Sequence, residues 1–180
     1  DFEVRDLLLA SPGLNLGLDY LPGALSYSVA APFPINADLA SRIVWFDAYV
    51  TNIDRTPRNT NMLVWNHRLW LIDHGAALYF HHAWAGYQER ARTPFKAISE
   101  HALLPLATRL REVDAPLRAR LTRETLEGIV ALIPDGWLGD EPQFASVDEQ
   151  RVPSATSITT RVIALGWRPM RTCLIRPDSN

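Results

Sequence analysis

Residues 52–78 read NIDRTPRNTNMLVWNHRLWLIDHGAAL, and this stretch decides the fold. Within it, the runs NMLVW and RLWLI are rich in β-branched, aromatic and other apolar residues and flank a two-residue Asn-His connection. The pattern predicts a β-hairpin over residues 62–72. Because the strands of a hairpin run antiparallel, residues 54–59 and Asp73 are expected at the same end of it.

That end of the hairpin carries two carboxylates and an amide. Asp54 is followed five positions later by Asn59 and nineteen positions later by Asp73. Magnesium takes carboxylate and amide oxygens as ligands, so Asn59 and Asp73 are candidate metal ligands, and Asp54 is left to accept a proton from an attacking hydroxyl. Gly75 lets the backbone approach a phosphate closely. In the alternative interpretation, these side chains only form turns, as Asp and Asn often do.

The histidines that follow Asp73 suggest a different kind of metal site. His74, His81 and His82 lie within nine residues, and with Asp73 they are the side chains of a zinc or iron hydrolase. The stretch FHHAW, however, lacks the i, i+4 histidine pair of a helical zinc site, and adjacent histidines point apart on a helix or a strand. The hydrolase is therefore an alternative to the magnesium site.

A helix is predicted directly before the hairpin. The apolar residues Leu39, Ile43, Phe46 and Val50 are spaced by four, three and four positions, which puts them on one helical face. Asn36 precedes this series and is a favoured N-cap residue.

The remainder of the chain is predicted to be mostly helical. Residues 14–28 are the exception, since their alternation of apolar and polar residues predicts a strand that runs into a turn. Downstream, one helix is predicted to start near Pro105 and a second at Asp114 as its cap. A third is expected between Thr122 and Pro134.

The composition places bounds on function. With 180 residues, 47% hydrophobic and 21% charged, the chain matches one domain that buries a sizeable core. It has no run of about 18 apolar residues, so we expect no membrane span. A formal net charge of −2 provides no global field for direct nucleic-acid binding. The lone Cys173 and the lack of a secretion signal predict a cytoplasmic protein.

The segments WFDAYVTNIDRTPRNTNML (residues 45–63) and LWLIDHGAALYF (residues 69–80) resemble the HipA-like kinases and, more distantly, the phosphoinositide kinases. The resemblance extends over about residues 14–135. It implies an α+β fold, the kinase-like C-lobe, which is mostly helical with a small β-hairpin that carries the catalytic loop. Residues 1–146 are then the lobe, and residues 147–180 are a weakly specified, arginine-rich tail.

Carried over residue by residue, the resemblance makes Asp54 the catalytic aspartate and Asn59 a metal ligand. Asp73 then corresponds to the aspartate of the family's metal-binding motif, which here is Asp73-His74-Gly75. Asn61 is the second candidate for the metal asparagine, because it directly precedes an apolar run.

The resemblance also implies nucleotide contacts. Asn52 matches a residue that braces the catalytic loop, and Asp19, Tyr20 and Leu21 fall where the family links its two lobes and presents backbone groups to adenine. Residues 1–30 would thus be a connector from an N-lobe. The 180 residues contain no glycine-rich loop before residue 14 and no lysine other than Lys96, so both elements of a kinase N-lobe are absent from this stretch.

The implied activity is Mg²⁺-dependent transfer of the γ-phosphoryl group of ATP to a hydroxyl group, most simply on a protein. The implied partners are ATP, a protein acceptor and an antitoxin-like protein or an N-lobe. The missing lysine motivates an alternative, a kinase-like interaction module without catalysis.

Overall fold

The computed structural model describes residues 2–30, 33–78, 86–138, 144–149 and 151, and over these residues the chain is α+β. The α-helices are α1 (Phe2–Ala10), α2 (Ala37–Tyr49), α3 (Tyr87–Arg92), α4 (Leu110–Arg120) and α5 (Arg123–Ala131). The strands are β1 (Leu25–Ser26), β2 (Met62–Trp65) and β3 (Arg68–Leu71). Short 3₁₀ helices span Lys96–Glu100, Leu104–Leu106 and Asp135–Trp137. Across these ranges no helix is long and apolar enough to cross a membrane.

The predicted hairpin is confirmed. Strands β2 and β3 pair antiparallel, with Met62 opposite Leu71 and Trp65 opposite Arg68. The two connecting residues both have positive φ, 48° and 58°, as a tight two-residue hairpin turn requires. Strand β1 joins the other edge of β2, so the sheet has three strands in the order β1-β2-β3.

The strand predicted over residues 14–28 is wrong for most of its length. Only Leu25 and Ser26 pair with β2, and residues 14–24 belong to no helix or strand. An alternating pattern forms a strand only where a neighbour supplies hydrogen bonds, and β2 offers two register positions on this edge. Leu16 and Leu18 are consequently 72% and 84% exposed.

Helix α2 is at the centre of the core, where it packs against α4 and the 3₁₀ helices Lys96–Glu100 and Leu104–Leu106. Its predicted N-cap is confirmed, since the Asn36 side chain accepts a hydrogen bond from the Leu39 N–H at 2.8 Å. The predicted buried face is only partly right. Ile43 and Val50 are buried, but Leu39 and Phe46 are 39% and 40% exposed.

The buried face of α2 is rotated from the apolar series and includes two polar residues. Ser41 and Asp47 are both fully buried, beside small or branched neighbours such as Ala40, Val44 and Ala48. Small residues let α4 approach closely, and of the bulky apolar side chains Trp45 and Tyr49 are buried with them while Leu39 and Phe46 lie at the edge.

The two helices predicted around Asp114 form the single helix α4, which has Pro116 in its interior. Asp114 does not cap a helix. Its carboxylate accepts a hydrogen bond from the indole N–H of buried Trp45 at 2.8 Å, which ties α4 to α2. The predicted cap of α5 is confirmed, because Thr122 Oγ1 accepts from the Thr125 N–H at 3.2 Å.

The tail predicted for residues 147–180 lies outside the described residues except at its start. There Arg151 donates to the carbonyls of Val130 and Ile133, at 2.7 and 2.6 Å, and pairs with Asp135. Its guanidinium therefore satisfies carbonyl groups at the C-terminal end of α5.

Candidate active site

The hairpin brings the predicted catalytic loop and Asp73 together. Beyond the last strand pair, the Ile72 N–H donates to the Asn61 carbonyl at 3.0 Å, which extends the antiparallel pairing by one step. Asp73 therefore leaves the hairpin beside the point where Asn61 enters it. Both residues have positive φ, 49° and 46°, a region that Asp and Asn tolerate better than other non-glycine residues.

Asp54 is held by the two asparagines that follow it. Its Oδ2 accepts hydrogen bonds from the side-chain amides of Asn59 at 2.9 Å and Asn61 at 3.0 Å. The Asp54 N–H donates to Asn52 Oδ1 at 3.2 Å. Within the described part of the chain, no group donates to Asp54 Oδ1. One carboxylate oxygen is thus fixed in place, and the other is available to a substrate.

The loop between these residues is closed by a pair of hydrogen bonds. The Thr56 N–H donates to the Asn59 carbonyl at 2.9 Å, and the Asn59 N–H donates to Thr56 Oγ1 at 3.3 Å. Pro57 lies inside this turn and restricts its backbone. The position of Asn59 relative to Asp54 is therefore set by the backbone of the turn as well as by the side chains.

A buried carboxylate that the sequence did not single out supports the loop from below. Asp47 Oδ1 accepts from Asn52 Nδ2 at 3.0 Å, and its Oδ2 accepts from Arg55 Nε at 2.6 Å and from His101 Nε2 at 2.9 Å. The side chains of Asp47 and Arg55 are both 0% exposed. Asn52 thus links the buried carboxylate of Asp47 to the backbone of Asp54.

His101 serves this cluster as a neutral donor. Its Nδ1 accepts a hydrogen bond from the Leu103 N–H at 3.0 Å, so the ring proton lies on Nε2 and points at Asp47. Burial raises the pKa of Asp47, but the hydrogen bond from His101 and the charge and hydrogen bond of Arg55 outweigh it. The pKa of Asp47 therefore lies below its usual value, and the carboxylate is charged at neutral pH.

Arg55 joins the two ends of the hairpin. Besides Asp47, its guanidinium donates to the carbonyls of Thr60, at 3.4 Å, and Asn61. Its Nη2 lies 3.2 Å from His74 Nε2. Arg55 thereby contacts the residues before β2 and the residue after Asp73 with a single planar group.

The contact with Arg55 defines the state of His74. Because a guanidinium only donates, Nε2 of His74 accepts, and the neutral ring carries its proton on Nδ1. Desolvation and then the charge of Arg55 lower the pKa of His74, against the opposing charges of Asp47 and Asp73. Phe46 stands edge-on to this ring with a centroid distance of 6.2 Å, which explains why it lies outside the main core.

The zinc or iron site finds no support in the described ranges. Across them, no group of three or more His, Cys, Asp or Glu side chains is arranged to hold a metal ion. The Nε2 lone pair of His74 is directed at a guanidinium rather than at a cation site. His81 and His82 lie outside the described residues.

A pocket of about 310 Å³ opens beside the loop. It is lined by residues 26–28, residues 57–63 and Ile72, and so contains both asparagines that bind Asp54. Its lining combines hydroxyl and amide residues with the partly exposed apolar residues Leu63 and Ile72, whereas the Met62 side chain is buried in the core. A polar ligand with an apolar ring suits such a pocket.

The loop, the hairpin and the aspartate that follows it coincide with a known family. The family model described as HipA-like kinase matches residues 13–162. The chain belongs to the HipA-like kinase family. No curated protein and no solved structure matches it. The resemblance seen in residues 45–80 is confirmed, and the match reaches further along this HipA-like kinase than residue 135.

The structure brings together some of the predicted site residues of this HipA-like kinase. Asn52, Asn59 and Asn61 all contact Asp54, as described above. Asp73 is exposed, and its Oδ1 accepts a hydrogen bond from a backbone N–H two residues on, that of Gly75, at 3.4 Å.

Other predicted nucleotide contacts lie apart from the pocket. Asp19 and Tyr20 are exposed, and the ring of Tyr20 is 84% accessible. Leu21 closes a turn by accepting a hydrogen bond from the Ala24 N–H at 3.1 Å. None of residues 19–21 lines the pocket, whose nearest wall in sequence is Ser26.

Proposed function

We propose that this HipA-like kinase transfers the γ-phosphoryl group of ATP to a hydroxyl group on a protein, with Asp54 as the general base. One observation carries the proposal: Asp54 is fixed by two asparagines, at 2.9 and 3.0 Å, at the mouth of the hairpin from which Asp73 emerges. Membership of the family supports phosphotransferase chemistry in general.

In the proposed reaction, the acceptor oxygen attacks the γ-phosphorus and the bond to the β–γ bridging oxygen breaks, which releases ADP. The acceptor proton passes to Asp54, whose Oδ1 accepts no hydrogen bond from the described residues. The hydrogen bonds to Oδ2 hold the carboxylate in one orientation, so little reorganisation is needed at the moment of transfer.

The residues present fit a magnesium ion. Asn59 and Asn61 donate through their NH₂ groups to Asp54, which leaves both amide oxygens available as ligands. Together with the exposed carboxylate of Asp73, they form the sparse oxygen set that magnesium takes when phosphates and water complete its shell. When bound, the ion neutralises negative charge on the transferred phosphoryl group.

The pocket beside the loop is the proposed nucleotide site. Its partly exposed apolar residues, Leu63 and Ile72, are proposed to contact the adenine ring, and Asn59 and Asn61 in its lining are the proposed metal ligands. Gly75 is proposed to give the phosphates close access to the backbone. The earlier proposal that Asp19, Tyr20 and Leu21 present backbone groups to adenine requires residues 19–21 to move towards this pocket.

The wider setting is also a proposal. Residues 1–146 are proposed as a kinase-like C-lobe that meets ATP in the cytoplasm, with an N-lobe or an antitoxin-like protein as partner. A second function, a module that binds nucleotide without catalysis, is favoured because no lysine is among the described residues that line the pocket. Lys96 lies instead in the 3₁₀ helix Lys96–Glu100.

Calorimetric titration with Mg·ATP tests the nucleotide and metal assignments. Asp73→Ala is expected to abolish Mg²⁺-dependent binding, because it removes the one carboxylate assigned to the ion. Asp6→Ala, which removes an exposed carboxylate from α1, is the matched control and is expected to bind like the wild type. Equal affinity of the Asp73→Ala variant and the control would overturn the role of Asp73.

A further inference from the structure

The two arginines of the catalytic loop have opposite environments. Arg55 is 0% exposed, and its donors are taken up by Asp47, by two backbone carbonyls and by His74. Arg58 is exposed, and among the described residues no carboxylate or carbonyl accepts a hydrogen bond from its guanidinium. Arg55 therefore has a structural role, whereas the charge of Arg58 is available to a ligand.

The backbone of Arg58 is held next to the proposed metal ligand. It lies in the turn that is closed by the Thr56 N–H to Asn59 carbonyl bond of 2.9 Å, between Pro57 and Asn59. Asn59 in turn donates to Asp54 at 2.9 Å. A flexible side chain on a fixed backbone can follow a ligand while its attachment point stays in register with the reacting groups.

Arg58 also brings a positive charge to the lining of the pocket. Among the lining residues that the structure describes it is the one charged residue, and the others carry hydroxyl, amide or apolar groups. The carboxylate of Asp54 contacts the lining residues Asn59 and Asn61, and Asp73 directly follows the lining residue Ile72. Both aspartates add negative charge beside the pocket. An anionic ligand that approaches these two aspartates needs positive charge besides a metal ion, and of the described lining residues only Arg58 supplies it.

We infer that Arg58 binds the phosphate groups of the nucleotide and is the pocket's own cation for their recognition. The inference rests on the proposed function and adds to it a phosphate-binding residue. A guanidinium matches phosphate oxygens with paired N–H donors, so the contact is directional as well as electrostatic. A carboxylate on the protein acceptor is also negatively charged. The experiment below therefore distinguishes a contact of Arg58 with the nucleotide phosphates from a contact with such a carboxylate.

The test is a titration of the 180-residue chain with ATP, ADP and adenosine, each with Mg²⁺, by calorimetry. Arg58→Gln is expected to lower the affinity for ATP and ADP by about tenfold, the loss typical of one charge-assisted contact, and to leave adenosine unchanged. Arg58→Lys keeps the charge and is expected to retain part of the affinity. Arg68→Gln is the control, since Arg68 is an exposed arginine on β3 outside the pocket lining.

Each outcome has a defined meaning. If the wild type binds Mg·ATP and Arg58→Gln binds it equally well, the inference is wrong while the proposed function stands. Arg58 would then be assigned to contact a carboxylate on the protein acceptor. If Arg58→Gln weakens adenosine as much as ATP, the side chain shapes the pocket and the inference is also wrong. If the wild type binds none of the three ligands, the proposed function and the inference fail together.

Discussion

Arg55 donates from Nε to Oδ2 of Asp47 at 2.6 Å, and neither side chain is exposed to solvent. This buried ion pair connects the last turn of α2 to the residue that follows Asp54. The loop that carries the proposed base is therefore attached to the hydrophobic core through a charge pair, and its geometry depends on that pair.

The first prediction is that Asp47→Ala destabilises the fold strongly. The substitution leaves the Arg55 guanidinium buried without its counter-charge and removes an acceptor from His101 and Asn52. Breaking a buried pair in this way costs about 3–5 kcal/mol in the free energy of unfolding. Urea denaturation followed by circular dichroism measures the loss.

The matched control for that measurement is Asp38→Ala on the same helix. Asp38 also pairs with an arginine, Arg42, at 2.6 Å, but both side chains are partly exposed, at 38% and 43%. Screening by water makes such a pair far weaker than a buried one. A loss for Asp47→Ala no larger than that for Asp38→Ala would contradict the importance assigned to the buried pair.

The second prediction concerns stability in acid. The folded-state pKa of Asp47 is lowered by His101 and Arg55 despite its burial, whereas in the unfolded chain an aspartate titrates near pH 3.9, about its usual value. The stabilisation from this carboxylate is therefore complete above about pH 4 and is lost as the pH falls through the folded pKa below it.

Unfolding free energies measured between about pH 2 and 6 test this assignment. The wild type is expected to lose stability more steeply below about pH 4 than Asp47→Asn, whose amide cannot titrate. The amide oxygen of the variant can accept from Arg55 and His101, but its NH₂ group then faces the NH₂ group of Asn52. The comparison therefore uses the pH dependence of the unfolding free energy and not its absolute value. If the unfolding free energies of the two proteins depend on pH in the same way below about pH 4, a group other than Asp47 causes the loss of stability in acid.

The buried cluster is also where prediction from the sequence failed, for a physical reason. The hairpin and the caps Asn36 and Thr122 follow from local rules, since their signals lie within a few neighbouring residues. Asp47 and His101 are 54 positions apart, and no local pattern reports their contact. Only the packing of α2 against the segment around residue 101 decides that an aspartate is buried there.

The dependence of burial on tertiary packing also explains why the predicted buried face of α2 is only partly right. The apolar spacing predicts Leu39 and Phe46 on the buried face of α2, but the face that packs in the core instead includes Ala40, Ala48 and Asp47. The sequence does contain an indication that Asp47 is buried. Asp47 lies three positions after Val44, which puts the two residues on the same side of α2. An aspartate on a buried stripe indicates a buried partner, and Arg55 eight residues on is that partner.

The third prediction compares the two asparagines that contact Asp54. Asn59→Ala is expected to weaken the Mg²⁺ dependence of ATP binding more than Asn61→Ala. Asn59 has an exposed side chain, whereas the carbonyl of Asn61 already accepts from Ile72 and Arg55 and fixes it within the hairpin. Because both variants lose one hydrogen bond to Asp54, each is the other's control for that loss.

Titrating Mg²⁺ at fixed ATP gives the apparent metal affinity of each variant. A larger shift for Asn61→Ala would move the assignment of the metal ligand two residues along the loop. Equal shifts for the two variants would indicate that the common effect on Asp54 dominates and that neither amide oxygen is a specific ligand.

The fourth prediction is that Asp54→Asn removes phosphoryl transfer while nucleotide binding is retained. The new amide keeps an oxygen that accepts from Asn59 and Asn61, so the loop geometry is preserved, but it cannot take a proton from the acceptor. Loss of a general base lowers the rate by about 10² to 10⁴.

Transfer from radiolabelled ATP is measured with this chain and with versions extended at the N-terminus, together with Mg·ATP affinity. Asp6→Asn controls for the loss of an exposed carboxylate. Transfer that persists in Asp54→Asn at the control rate would exclude Asp54 as the base, and binding without transfer in every version would favour the nucleotide-binding module.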